Sequence, residues 1–164
     1  LTTSPAFRDA FKRRRCLVPV DSFYEWKRDG KLRQPFNITS EDGRPLVLAG
    51  LWAGWRDPAS DPDSPRIRRT FTIVTTTPND AMTDLHDRMP VILPDDAWAR
   101  WLDPAPADPG ELIGLLQPTD AVARRIYAVN RDVNDVRRDG PELVEPLIEP
   151  AAYADAAPKD SLGL

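Results

Sequence analysis

The sequence predicts an α+β fold: a mainly antiparallel, barrel-like sheet with short flanking helices. Three observations carry this. Segments rich in Val, Ile, Phe, Tyr and Trp outnumber helical patterns; turn signals such as Asp29-Gly30 and Glu41-Asp42-Gly43 return the chain by hairpins; and the helical stretches are brief. The 164 residues suit one domain, expected over 1–150, with a loose tail rich in Ala, Asp and Pro over 151–164.

Pro5 opens an amphipathic pattern in which Ala6, Phe7, Ala10 and Phe11 share an apolar side, as in a helix with proline in its first turn. Residues 16–26 read as a strand broken at Pro19, with Asp21-Ser22 as a bend before Phe23-Tyr24-Glu25-Trp26. Asp29-Gly30 then makes a hairpin and the chain returns over 35–39. The apolar run 45–52 suits a buried strand, whereas 56–69, crowded with Asp, Pro and Arg and without periodicity, reads as an exposed loop. A strand over 70–76 follows, then a turn or helix cap at Pro78-Asn79-Asp80 and a short strand over 89–93. Pro94-Asp95-Asp96 starts a helix reaching Leu102, a second helix covers 110–117, and 125–129 is a late strand.

Composition excludes several classes. The net charge is −4, against a general nucleic-acid coat protein. The charge is unevenly spread, however: residues 1–80 hold 14 Lys and Arg against 10 Asp and Glu, and a basic run at Arg8, Lys12, Arg13, Arg14 and Arg15 leaves room for an anionic ligand on an acidic protein. A solvated basic face explains the same run equally well. One cysteine forms no intrachain disulfide, and no apolar run approaches the roughly 18 residues of a membrane span, so a cytoplasmic, monomeric protein is expected. A single histidine and a distant cysteine lack metal-ligand spacing, so neither metal nor cofactor is expected.

The residues with chemical capacity are few. In a strand, Glu25 points away from the rings of Tyr24 and Trp26, a candidate general acid or base if that face walls a pocket and a plain strand glutamate if it does not. His86, the only histidine, sits in Leu85-His86-Asp87-Arg88-Met89-Pro90 and is either a proton-transfer group beside Arg88 or a capped surface residue. Thr75-Thr76-Thr77 with Asn79 offers hydroxyls and amides to a phosphate, or else fills a strand end. The tryptophans at 26, 52, 55, 98 and 101 include candidates for base stacking, although core packing accounts for most such residues. Cys16 follows four basic residues but lies in an apolar stretch, the usual setting of an inert buried thiol.

Taken together, Arg14-Arg15-Cys16-Leu17-Val18-Pro19, Phe23-Tyr24-Glu25-Trp26-Lys27, Gln34-Pro35-Phe36, Ala49-Gly50-Leu51-Trp52, Thr75-Thr76 with Asn79, and His86-Asp87-Arg88-Met89-Pro90 resemble the SRAP family, the SOS-response-associated peptidase domain. Asn134-Asp135-Val136 and Asp139-Gly140-Pro141-Glu142-Leu143 match its C-terminal portion. The resemblance implies a protein that recognises abasic sites in single-stranded DNA and crosslinks to them covalently, shielding the lesion. The implied nucleophile is an N-terminal cysteine whose amine and thiol close a thiazolidine on the sugar aldehyde. It further implies catalytic roles for Glu25 and His86 and a DNA-contacting set of Arg14, Arg15, Trp26, Thr75, Thr76, Asn79 and Arg88. The bacterial nucleoid is then the expected location when DNA is bound.

The departures are specific. The family's N-terminal cysteine segment is expected ahead of Leu1, Ser22 stands where glycine is usual, and Ala53 stands where an acidic residue is expected. Cys16 cannot replace the nucleophile because its nitrogen is an amide, so residues 1–164 alone are expected not to crosslink. Two alternatives accompany this reading: a noncatalytic single-stranded DNA binder, with salt-sensitive affinity and no covalent product, and a peptidase limited to its own N-terminus, with no Ser-His-Asp set to support broader proteolysis.

Overall fold

The computed structural model describes residues 1–30, 32–105 and 108–147, so the tail expected over 151–164 lies outside the described residues. A helix α1 (Arg8–Arg13) leads into strands β1 (Arg15–Val20), β2 (Ser22–Asp29), β3 (Leu32–Ser40), β4 (Leu46–Arg56), β5 (Ile67–Ile73) and β6 (Thr75–Thr76). Then come α2 (Asp80–Thr83), β7 (Met89–Pro90), α3 (Asp95–Leu102), α4 (Pro109–Gly114), β8 (Arg124–Ala128) and 3-10 turns at Arg131–Asn134 and Pro141–Val144. All strand pairings are antiparallel, in sheets ordered β1-β4-β5, β2-β3-β8 and β6-β7. The class is α+β as the sequence predicts. Among the described residues the strands form three separate sheets and no closed barrel.

β4 explains why two cores coexist. Its first half is apolar at every position, so both faces are buried. Ala49 and Leu51 face a cluster with Phe11, Val91, Leu93, Trp101 and Leu112, while Leu46 and Leu48 face a second cluster with Ile38, Met82, Met89 and Ile92. Gly50 is required by the close approach of β1: a Cβ there would sit 2.8 Å from both Cys16 Sγ and Val18 Cγ2. Gly50→Ala is therefore expected to cost about 1–3 kcal/mol by overpacking, read as a lower urea midpoint at unchanged slope.

Three expectations need correction. Pro19 does not break its strand, because β1 is an edge strand and Pro19 pairs with Val47 where no ladder donor is needed. The break falls at Asp21. The exposed loop is confined to 57–66, since β4 and β5 stay paired out to Arg56 and Ile67. Asp57 and Asp61 then cap the turns through the Ala59 and Asp63 amides, each at 2.9 Å. The strand expected over 70–76 divides at Val74, where the chain changes partners: Val74 N–H donates to Ala49 and the Val74 carbonyl accepts from Val91. The hairpin at Asp29-Gly30 forms as expected, with Gly30 at φ 56° and Asp29 paired with Leu32.

α3 is positioned by its tryptophans. Asp95 and Asp96 occupy its first turn, where the helix dipole favours negative charge, and Ala97 and Trp101 face the core. Trp101 Nε1 donates to the Cys16 carbonyl at 2.9 Å, fastening α3 to β1. No helix among the described residues is long and apolar enough to cross a membrane.

Candidate active site and nucleic-acid face

The register of β2, β3 and β8 sorts the side chains. Tyr24, Asn37 and Tyr127 are cross-strand neighbours on one face; Phe23, Ile38 and Ile126 lie on the other, against the second core cluster. Glu25 alternates onto the core-facing side, opposite Tyr24 and Trp26, as the strand period predicts. It is half-buried, and its Oε1 accepts from the Trp26 amide at 3.3 Å. Leu85 packs into the same cluster as Phe23 and Phe36, so the segment leading to His86 docks on the side of the sheet that carries Glu25.

The outer face is locked by the C-terminal segment. Trp26 Nε1 donates to Asn134 Oδ1 at 2.8 Å, Tyr24 OH to the Leu143 carbonyl at 3.2 Å and Tyr127 OH to the Val144 carbonyl at 2.9 Å. The Trp26 ring is thereby held at the free edge of β2. There Trp26, Arg28, Pro78, Leu85, His86 and Asp87 border an open depression of about 720 Å³. Asn134 is the residue that sequence reasoning left without a role, since its partner lies 108 positions away.

His86 is held through one nitrogen. Nδ1 lies 3.1 Å from the Arg88 amide, 3.1 Å from the Arg88 carbonyl and 3.0 Å from Asp87 Oδ1. A neutral ring accepting from the Arg88 N–H carries its proton on Nε2, and a protonated ring presents Nδ1–H to Asp87 and the carbonyl instead. Nε2 has no partner among the described residues. Arg88 is fixed across the β6-β7 ribbon: its Nε donates to Thr75 Oγ1 at 3.0 Å, and one terminal nitrogen donates to that hydroxyl at 2.6 Å and to the Thr75 carbonyl at 2.8 Å. Arg88 remains exposed, a cation with a set orientation. Thr76, half-buried, pairs with Met89 next to it.

Two of the residues expected to contact DNA are buried. Arg15 is only 8% exposed. Its guanidinium donates to the carbonyls of Trp101 at 2.6 Å, Phe11 at 2.7 Å and Lys12 at 2.8 Å, and to that of Asp103. It closes the C-terminal ends of α1 and α3 and commits four of its five N–H donors to those carbonyls. Burial lowers its pKa, and Asp103 opposes that shift. Asn79 is likewise buried: its Nδ2 donates to Asp120, and its carbonyl accepts from the Thr83 hydroxyl at 2.9 Å, starting the short α2 that leads to His86. It positions the histidine segment, and its Oδ1 is buried without a hydrogen-bond partner among the described residues. Arg14 is half-buried with Nε on the Trp52 carbonyl at 3.2 Å, away from the depression lined by His86.

Cys16 is paired with Gly50 inside the β1-β4 ladder, and burial pushes its thiol pKa up, so it is a poor nucleophile. Among the described residues no group of three His, Cys, Asp or Glu side chains is placed to hold a metal ion.

The chain is 43% identical over 146 residues to the abasic site processing protein YoqW of Bacillus subtilis (strain 168), which covers 88% of this chain and 63% of that relative. It is 32% identical over 174 residues to the abasic site processing protein HMCES of Gallus gallus, covering 93% of this chain and 50% of that protein. The chain thus spans between half and two thirds of the length of these relatives. A crystal structure of a protein from Bacteroides thetaiotaomicron superposes with a TM-score of 0.78 at 28% identity, covering 88% of this chain and 62% of that one. The family model described as SOS response associated peptidase (SRAP) matches residues 1–136, and the chain belongs to that family.

Proposed function

We propose that this chain supplies the acid-base and DNA-positioning part of a protein that processes abasic sites in single-stranded DNA by covalent crosslinking. The observation that carries the reading is the pair of exposed, oriented groups on one short segment: His86, with Nε2 unpartnered among the described residues, and Arg88, locked onto Thr75. The names of relatives such as YoqW and HMCES support the choice of lesion.

The chemistry assigns each group a task. An abasic sugar in its ring-opened form presents an aldehyde at C1′. A cysteine amine adds to that carbon, water leaves to give an imine, and the neighbouring thiol adds to the imine carbon while its proton passes to nitrogen. The product is a thiazolidine, and one water is released overall. Glu25 takes up and returns the proton at the amine, and His86 serves the sugar oxygens during ring opening. Arg88 holds the phosphate beside the lesion, and Trp26 offers a ring to the neighbouring base. The nucleophilic cysteine is the N-terminal residue that the family resemblance implies, since Cys16 has neither a free amine nor an activated thiol. The region that serves this chemistry is the single domain over 1–150.

Arg88→Ala is expected to weaken binding to single-stranded DNA carrying an abasic analogue by about three- to tenfold, and to flatten the log-log salt dependence by about 0.7. Fluorescence anisotropy across a salt series checks both. Arg88→Lys should keep the salt slope yet lose part of the affinity, because an ammonium cannot reproduce the fork that holds Thr75. Unchanged affinity in both variants removes Arg88 from the DNA face.

A further inference from the structure

The outer half of the β4-β5 hairpin has no assigned task. From Ala53 to Arg56 and from Ile67 to Thr72 every residue is exposed, so the two strands project as a ribbon. Large apolar side chains lie open on it: Trp55 is 53% exposed, Ile67 54% and Phe71 62%. Arg68 and Arg69 lie between Ile67 and Phe71. Register sets Arg68 across from Trp55 and Phe71 across from Trp52, and the Arg69 guanidinium lies 6.0 Å from the Trp52 ring centroid. Arg68 has no ion pair among the described residues; Arg66 is paired with Asp57 at 3.0 Å, and Asp61 and Asp63 lie at the tip of the ribbon, in the 57–66 loop.

We infer that this ribbon is a second DNA-contacting element, which carries the single-stranded DNA flanking the lesion on one side. The inference rests on the function proposed above and extends it to the partner's length. Aromatic rings exposed beside unpaired guanidinium groups match the chemistry of single-stranded nucleic acid, in which bases stack while phosphates need cations. The consecutive Arg68 and Arg69 also disfavour the other occupant, a polypeptide strand, because charge on an edge strand blocks edge-to-edge pairing, and β5 is the sheet edge. Strand alternation puts Trp55, Arg68 and Thr70 on the face that runs down to Thr72, and Arg69 and Phe71 on the opposite one; the first face meets the site at Arg88, since Thr72, Ile73, Thr75 and Arg88 line one hollow of about 380 Å³. Arg68 precedes Thr75 by seven residues, about 23 Å of extended chain, the scale of a footprint of about four nucleotides.

The test measures binding of the chain to single-stranded oligonucleotides holding one tetrahydrofuran abasic analogue, with flanks lengthened one nucleotide at a time on either side. The wild type should gain affinity up to about four nucleotides on one side only, and Arg68→Glu should abolish that gain, at least a tenfold loss on the long substrate. Trp55→Ala, which leaves the charge intact, should weaken the long substrate about tenfold and the short one hardly at all, so a general loss of folding is distinguishable. A wild type that binds abasic DNA without dependence on flank length, or ribbon variants that keep it, overturns this inference alone. Self-association lost in the ribbon variants while DNA binding persists also overturns it, assigning the ribbon to a second copy of the chain. Absence of any DNA binding by the wild type overturns both the inference and the function it rests on.

Discussion

Arg15→Ala is expected to destabilise the protein by about 3–4 kcal/mol, since it leaves buried carbonyls at the ends of two helices without donors. The four acceptors belong to Phe11, Lys12, Trp101 and Asp103, so one guanidinium joins α1, β1 and α3. Losing a single charge-assisted bond costs about 1.5–3 kcal/mol, and partial access of water to the emptied site limits the total. Arg15→Lys should recover less than half of the loss, because three donors on one ammonium cannot span acceptors lying on opposite sides of a planar fork. Urea unfolding of the two variants measures this directly. Equal stability of wild type and Arg15→Ala would return Arg15 to the set of available surface cations.

The second large effect is on rate. Glu25→Gln keeps the size of the side chain and its bond from the Trp26 amide but removes the proton acceptor. In the crosslinking reaction proposed here, the adduct rate should fall by about 10²–10³, the range of general acid-base catalysis, at unchanged affinity for abasic DNA. Arg88→Ala should show the opposite split, weaker binding with a near-normal rate at saturating DNA. A variant set in which rate and affinity move together would mean that Glu25 positions the DNA and transfers no proton.

Much of this architecture was legible because the signals are local. The alternation in Phe23-Tyr24-Glu25-Trp26 separates the glutamate from the rings at one residue's resolution, and Asp29-Gly30 supplies the positive φ that its hairpin requires, so neither depends on distant contacts. The unbroken apolar run at the start of β4 likewise signalled a strand buried on both faces. Arg15 was opaque for the opposite reason. In a run of basic residues, sequence shows the charge and not the acceptors, and two of the acceptors of Arg15 lie 86 and 88 residues away. Asn79 and Asn134 were hidden in the same way, one joined to Asp120 and the other to Trp26 across distances that no local pattern spans.

The 57–66 segment carries a further lesson. Asp, Pro and Arg without periodicity suggested a loop from 56 to 69, yet cross-strand register propagates from the well-anchored pair Gly50 and Ile73 out to Arg56 and Ile67. A hairpin that begins in a core extends as far as its backbone ladder permits, whatever the polarity of the side chains, and this leaves aromatic and basic residues exposed on a projecting ribbon.

The most direct test of the account is denaturing electrophoresis of the native protein after incubation with single-stranded DNA bearing one abasic site, followed over time for wild type and Glu25→Gln. A covalent product is expected with the abasic strand and none with the intact strand, formed about a hundredfold more slowly by Glu25→Gln. A product that forms equally fast in both proteins, or with intact DNA, would contradict it.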